Sequence, residues 1–89
     1  MDRDVAHREV SRLIQEYRSR PYVSLLELAD GEVLETDIMA RGELITLSVD
    51  VRHAPDNAVR IHVSAYGSNW WKQDRVDESV LVPAPPTCS

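Results

Sequence analysis

Residues 32–53 have the sequence EVLETDIMARGELITLSVDVRH, in which apolar and polar residues alternate on both sides of Arg41-Gly42. A period of two is typical of a β-strand with one buried face. A two-residue turn at Arg41-Gly42 sets Ile38 opposite Ile45, and directly opposed residues of a hairpin share a face. The sequence therefore predicts an antiparallel hairpin whose second strand is buried on one side. The buried residues of that strand would be Ile45, Leu47, Val49 and Val51.

A third strand is predicted for residues 58–66, where the same alternation continues. The connection to this strand leaves two registers open. A three-residue loop sets Asp50 opposite Arg60, whereas a five-residue loop sets Asp50 opposite His62 and Arg52 opposite Arg60. We favour the three-residue loop, because like charges directly opposed across two strands destabilise their pairing. The strand would send Val59, Ile61, Val63 and Ala65 inward and Arg60, His62, Ser64 and Tyr66 outward.

Two helices are predicted before the hairpin. Residues 4–18 have the apolar spacing of an amphipathic helix with 3.6 residues per turn. Residues 22–30 do not alternate as a strand would, and their apolar residues gather on one side of a helix instead. We therefore favour a short second helix, with Ser19 as its N-cap and Asp30-Gly31 as its C-terminal stop. The apolar stripe of the first helix consists of Ala6, Val10, Leu13, Ile14 and Tyr17.

The pattern is weaker after the third strand. Trp70-Trp71 is predicted to open a short fourth strand, residues 74–78 to form a charged loop, and residues 80–82 to form a last short strand. Adjacent strand residues point to opposite faces, so one tryptophan would fill the core and the other would lie on the outer face or at an edge. The proline-rich residues 83–89 would form a disordered tail, because proline supplies no N–H to a sheet.

These elements together predict one α+β domain over residues 1–82. An N-terminal helix and a short second helix would pack on one face of a mostly antiparallel meander sheet of three to five strands. A chain of 89 residues buries only about 60–65% of its unfolded surface, so association with another chain would add stability. The predicted core consists of Val10, Leu13, Ile14, Tyr17, Leu26, Leu34, Ile38, Ile45, Leu47, Val49, Val51, Val59, Ile61, Val63, one tryptophan and Val80 or Leu81.

The chain has a formal net charge of −5, and residues 21–50 hold seven Asp or Glu against Arg41 alone. Binding to phosphate backbones and anionic membranes relies on clustered Lys and Arg, so neither nucleic acid nor a membrane is an expected partner. The single cysteine, Cys88, excludes an intrachain disulfide framework. The charged N-terminus does not resemble a signal peptide and no long apolar run is present, which predicts a cytoplasmic protein. Nine Arg against one Lys are typical of a bacterium with a GC-rich genome.

The predicted outer face of the sheet gathers the residues best suited to chemistry. Asp50, Arg52, Arg60, His62 and Tyr66 would lie there, and an Asp–His pair beside a tyrosine suits acid–base work. A half-solvated antiparallel sheet has a polar outer face of this composition without any catalytic role, however, so we predict no catalytic residues. With three scattered histidines and three glycines, the sequence contains no metal or nucleotide motif, and neither a metal nor a cofactor is expected.

Two hypotheses on function follow. The first is a non-enzymatic interaction domain, which forms a homodimer or binds a protein partner through its sheet face or edge and an exposed tryptophan. The second is a small enzyme or ligand-binding protein that uses Asp50, His62 and Tyr66. We favour the first, because no catalytic motif stands out from the polar face. The candidate binding residues are Asp50, Arg52, Arg60, His62, Tyr66, Trp70 and Trp71.

Overall fold

The computed structural model describes residues 3–67 and 75–86. In these residues, two helices pack on a four-stranded antiparallel sheet whose strands follow the chain order, β1-β2-β3-β4. The predicted α+β class and the meander topology are confirmed. The elements are α1 (Arg3–Arg18), α2 (Tyr22–Ala29), β1 (Leu34–Ala40), β2 (Glu43–His53), β3 (Val59–Gly67) and β4 (Arg75–Val82), with a 3-10 turn at Pro55–Asn57 between β2 and β3.

Helix α1 packs on β3 and β4 through the predicted stripe. Ala6, Val10, Ile14 and Tyr17 are buried, and Leu13 packs against them at the edge of the core. The helix ends near Arg18, and the N–H of Arg20 closes the last turn by donating to the carbonyl of Tyr17, at 3.1 Å. The next residue is Pro21, which separates α1 from α2 because the residue before a proline avoids the helical region.

Helix α2 confirms the second predicted helix, and it packs mainly on β2. Leu25 and Ala29 are buried, and Asp30 forms the C-cap. The prediction that Ser19 is the N-cap is wrong. The cap position is held by Pro21, while the Ser19 hydroxyl donates to the carbonyl of Glu16, at 2.8 Å, and so belongs to the end of α1.

The β1–β2 hairpin has the predicted register. Ala40 lies opposite Glu43, Ile38 opposite Ile45, and the pairing continues without a bulge to Leu34 opposite Val49. Both turn residues have positive φ, 51° at Arg41 and 79° at Gly42. That combination forms a turn whose twist matches the flanking strands. At Arg41, which is not glycine, this backbone conformation costs about 1 kcal/mol. The pairing of the two strands has to offset that cost.

The favoured register between β2 and β3 is wrong. The structure has the five-residue connection, residues 54–58, which sets Asp50 opposite His62 and Arg52 opposite Arg60. The two registers differ by two residues, so both send the same side chains inward and the hydrophobic pattern cannot distinguish them. The expected repulsion between the two arginines is reduced within β2, where Arg52 Nε forms an ion pair with Asp50 Oδ1 at 2.7 Å.

The geometry of the connecting turn is what selects the longer loop. Asp56 and Asn57 both have positive φ, 62° and 61°, a conformation that Asn and Asp tolerate better than most residues. The N–H of Ala54 donates to the carbonyl of Ala58, at 2.9 Å, and closes the loop. The hydroxyl of Tyr22 donates to the carbonyl of Asn57, which fixes the loop against α2.

Strand β4 replaces two predicted elements. The prediction of a charged loop over residues 74–78 is wrong for residues 75–78, because a single strand runs from Arg75 to Val82. Val76, Val80 and Val82 lie opposite the inward residues of β3. The alternation was hidden in the sequence by Glu78, which occupies an inward position but is exposed on this edge strand. The predicted strand at Trp70-Trp71 lies outside the described residues.

The core lies between the helices and the inner face of the sheet. The inward residues of β2 and β3 are buried as predicted, together with Leu25, Ala65 and Val76, which the predicted core did not include. Leu34 was expected in the core but is exposed, because both helices pack mainly on β2, β3 and β4 and cover β1 only in part. Of the two alternatives at the end of β4, Val80 packs against the core and Leu81 faces outward.

Residues 83–86 follow β4 without regular secondary structure. Ala84 and Pro85 lie beside Tyr22 and Leu26 of α2 and line a small surface groove with them. The division into a domain over residues 1–82 and a disordered tail over residues 83–89 stays a prediction. The described part of that tail lies along the end of the molecule where α2 meets the β2–β3 loop.

We expect Leu47→Asp to unfold the protein. Leu47 is 3% exposed, and an unpaired carboxylate there would cost more than about 4 kcal/mol, close to the whole stability of a small domain. The matched control is Leu44→Asp on the outer side of the same strand, where the side chain is 38% exposed, and the loss should stay under about 1 kcal/mol. Urea denaturation followed by circular dichroism measures both. A cooperative transition of Leu47→Asp at the wild-type midpoint would show that the strand faces the other way.

Candidate outer-face interaction site

The outer face is the side of the sheet that faces away from α1 and α2. Side chains alternate along each strand, so the positions between the buried residues point to this side. The pairing of the strands arranges these positions in rows across the sheet. They are Glu35, Asp37 and Met39 on β1; Leu44, Thr46, Ser48, Asp50 and Arg52 on β2; Arg60, His62, Ser64 and Tyr66 on β3; and Arg75, Asp77, Ser79 and Leu81 on β4.

The β3–β4 half of the outer face holds a network of satisfied polar groups. Ser64 is 4% exposed, and its hydroxyl accepts a hydrogen bond from Arg75 Nη2 at 3.0 Å. Arg75 Nε lies 3.6 Å from Asp77 Oδ2, and His62 Nε2 lies 3.3 Å from the same oxygen. Arg75, Asp77 and His62 are therefore bound to one another within the sheet. These contacts order the face but occupy the groups that take part in them.

The end of the face near the β2–β3 loop is different. There Arg52 and Arg60, which we call the basic corner, lie directly opposite each other on β2 and β3. Arg52 is engaged by Asp50, whereas Arg60 is exposed and has no hydrogen-bond or ion-pair partner within residues 3–67 and 75–86. Like charges directly opposed across a strand pair are unfavourable, so the fold carries an uncompensated positive charge at this point.

An open groove of about 740 Å³ lies over the basic corner, and we call it the terminal groove. Leu81 of β4 is directly opposite Arg60 and is 53% exposed, so an exposed apolar residue neighbours Arg60 across the strand pair. The lining residues are Asp50, Arg52, His53, Arg60, His62, Ser79, Val80 and Leu81.

His53 connects the terminal groove to the helical layer. Its Nε2 atom lies 2.8 Å from Asp30 Oδ1, at the C-cap of α2. Together with the contact between Tyr22 and Asn57, this pair holds the end of β2 and its loop against α2. Sequence reasoning did not predict either contact, because both join residues far apart in the chain.

The structure brings together four of the predicted site residues. Asp50, Arg52, Arg60 and His62 all line the terminal groove. Tyr66 lies four residues further along β3 from His62, about 13 Å away at 3.3 Å per residue, and pairs with Thr46 and Arg75 instead. Trp70 and Trp71 lie outside the described residues.

In the acid–base pair proposed from the sequence, Asp50 and His62, each side chain contacts a different residue instead of the other member of the pair. Asp50 and His62 are opposite each other, but Asp50 forms an ion pair with Arg52, and His62 lies against Asp77. Of the β4 residues, Asp77 was missed because residues 74–78 were assigned to a loop, and Leu81 because it was offered as a core residue in place of Val80. Ser79 was assigned to no element. The spacing of Val76, Val80 and Val82 at even positions was the signal for a strand there.

Two features are absent from residues 3–67 and 75–86. No group of three or more His, Cys, Asp or Glu side chains there is placed to hold a metal ion. No helix in the same residues is long and apolar enough to cross a membrane. Comparisons with protein-family models, with curated proteins and with solved structures found no match. The outer face and its charges are therefore the basis for the function proposed below.

We expect Asp50→Asn to destabilise the fold by a few tenths to about 1 kcal/mol, because it frees Arg52 to repel Arg60. The same substitution in an Arg60→Gln background should cost less, since the repulsion is absent there. A double-mutant cycle from urea denaturation at low salt measures the difference. Equal losses in the two backgrounds would mean that Asp50 does not relieve the arginine pair.

Proposed function

We propose that this chain is a non-enzymatic interaction domain that binds a protein partner on its outer face. The observation that supports this proposal is a pair of apolar corners on an otherwise polar surface. Met39 and Leu44, paired across the hairpin, are 67% and 38% exposed, and Leu81 is 53% exposed at the far end. The helices bury the inner face only, so among the described residues these side chains have no layer over them.

The distance between the two corners favours a macromolecule over a small ligand. Leu44 and Arg52 are eight residues apart on β2, about 26 Å at 3.3 Å per residue. Leu81 shares a row with Arg52 through Arg60. Small-molecule sites enclose most of their ligand, whereas protein interfaces extend over broad and rather flat surfaces. A surface whose apolar contacts are this far apart is of the size that a protein partner covers.

The charges of the outer face also favour a protein partner. The outer face has four carboxylates, Glu35, Asp37, Asp50 and Asp77, against three guanidinium groups, Arg52, Arg60 and Arg75. A phosphate backbone would be repelled by that balance. The charges are also separated, with the acidic row on β1 and the basic corner at the opposite end. A protein partner that is acidic opposite the basic corner is complementary to this pattern, which fixes its orientation.

The second hypothesis, an enzyme or ligand-binding protein built on Asp50, His62 and Tyr66, has less support. A catalytic group acts within hydrogen-bonding distance of its substrate, and the tyrosine is about 13 Å along the strand from the histidine. The remaining two side chains are each engaged by another residue of the sheet.

We expect a photoreactive amino acid at position 81 to cross-link a discrete protein partner in cells that express the chain. The matched control is position 23 on α2, where Val23 is 65% exposed but on the helical layer, and no such product should form. The partner is then purified and its affinity measured by calorimetry. Leu81→Thr should weaken binding several-fold, because it removes apolar contact area while keeping a residue that favours strands. Val23→Thr should leave the affinity unchanged.

Sedimentation of the purified chain tests the competing occupant, a second copy. If the chain is a dimer and Leu81→Thr dissociates it, the partner on the outer face is a second copy of this chain. A strict monomer whose position 81 cross-links nothing, or a partner whose affinity falls with Val23→Thr and not with Leu81→Thr, would remove the outer face as the interaction surface.

A further inference from the structure

We infer that the basic corner binds a carboxylate of the partner, presented by an acidic segment whose apolar side chain rests on Leu81. This inference rests on the proposed function, because it names the chemistry of the surface that the partner brings to the outer face. Its two structural elements are the free guanidinium of Arg60 and the exposed apolar side chain directly opposite it on β4.

Arg60 has no anionic partner within residues 3–67 and 75–86. It stands opposite Arg52, a like charge, and Asp50 is already paired with Arg52 at 2.7 Å. Asp77 is held by His62 and Arg75. With Asp50 and Asp77 paired elsewhere, the guanidinium of Arg60 remains available to an external anion.

The remaining acidic residues of the face are too far away to compensate it. Asp37 accepts a hydrogen bond from the Thr46 hydroxyl at 2.8 Å. Glu35 lies two strands away from Arg60 and four residues further along, about 16 Å from strand spacing and rise. The positive charge is therefore local, even though the chain as a whole has a net charge of −5.

The geometry of the terminal groove favours a carboxylate with an apolar neighbour. A guanidinium offers a planar fork of N–H groups that binds a carboxylate through two parallel hydrogen bonds. Leu81 and the methylene stem of Arg60 give the adjoining side chain an apolar surface. A free inorganic anion would use the guanidinium alone and gain nothing from Leu81. An extended segment in which acidic and apolar residues alternate uses both.

The test uses a short fluorescein-labelled peptide in which Glu alternates with Leu, and a second peptide in which Gln replaces Glu. Fluorescence anisotropy gives the affinities, and amide chemical shifts of the labelled protein locate the contact. We expect the Glu peptide to bind at least tenfold more tightly than the Gln peptide. The residues whose amides shift should be those of the terminal groove, centred on Arg60 and Leu81.

Two variants assign the binding to the basic corner. Arg60→Gln should weaken the Glu peptide about tenfold, and it should fold normally because it removes a repulsion rather than a contact. Arg18→Gln is the matched control, since this exposed arginine lies at the end of α1 on the helical layer, and it should bind as the wild type does. Thermal melts of both variants confirm that the fold is retained.

Three results would overturn the inference. They are equal affinity for the two peptides, unchanged affinity of Arg60→Gln, and displacement of the Glu peptide by inorganic phosphate with no effect of Leu81→Thr. The last would assign the groove to a free anion. Failure of the proposed function is distinguishable from failure of this inference, because the proposed function is tested separately, by cross-linking at position 81. If the cross-linked partner binds Arg60→Gln as tightly as the wild type, the outer face remains an interaction surface and the carboxylate contact is wrong.

Discussion

The alternation of side chains along β2 is the constraint on which the rest of the structure depends. Ile45, Leu47, Val49 and Val51 are all buried, and β2 pairs with both β1 and β3. Because neighbouring strands must match its faces, the inward residues of β2 assign every residue of its partners to the inner or to the outer face of the sheet. The helices then cover one side, and the polar residues of β2 become the centre of the surface that is left. The core and the proposed binding face are thus two consequences of one pattern.

The hairpin register was predictable because two independent signals agree on it. The apolar parity and the two-residue turn at Arg41-Gly42 both select Ile38 opposite Ile45. No such agreement exists between β2 and β3, where both candidate registers preserve parity and charge repulsion favoured the wrong one. There the register is determined by two left-handed residues of the loop and by the hydroxyl of Tyr22, which is distant in sequence. Long-range contacts of this kind leave no local pattern in the chain.

The same difference between local alternation and long-range contacts explains how much of the candidate site was predictable. The presence of Asp50, Arg52, Arg60 and His62 on one face follows from parity alone, and the structure brings all four together. Which of them are paired depends on the register and on β4, whose alternation is interrupted by Glu78. In the favoured but wrong register, Asp50 would have neutralised Arg60. In the observed register Asp50 engages Arg52, and Arg60 has no ion-pair partner within residues 3–67 and 75–86.

The register between β2 and β3 is therefore the structural claim from which the function proposed for the basic corner follows. Nuclear Overhauser spectroscopy on the isotope-labelled chain measures it directly, through cross-strand backbone contacts. The account predicts contacts that pair Arg52 with Arg60 and Asp50 with His62. Contacts that instead pair Asp50 with Arg60 would contradict it, because the free arginine would then have its carboxylate within the sheet.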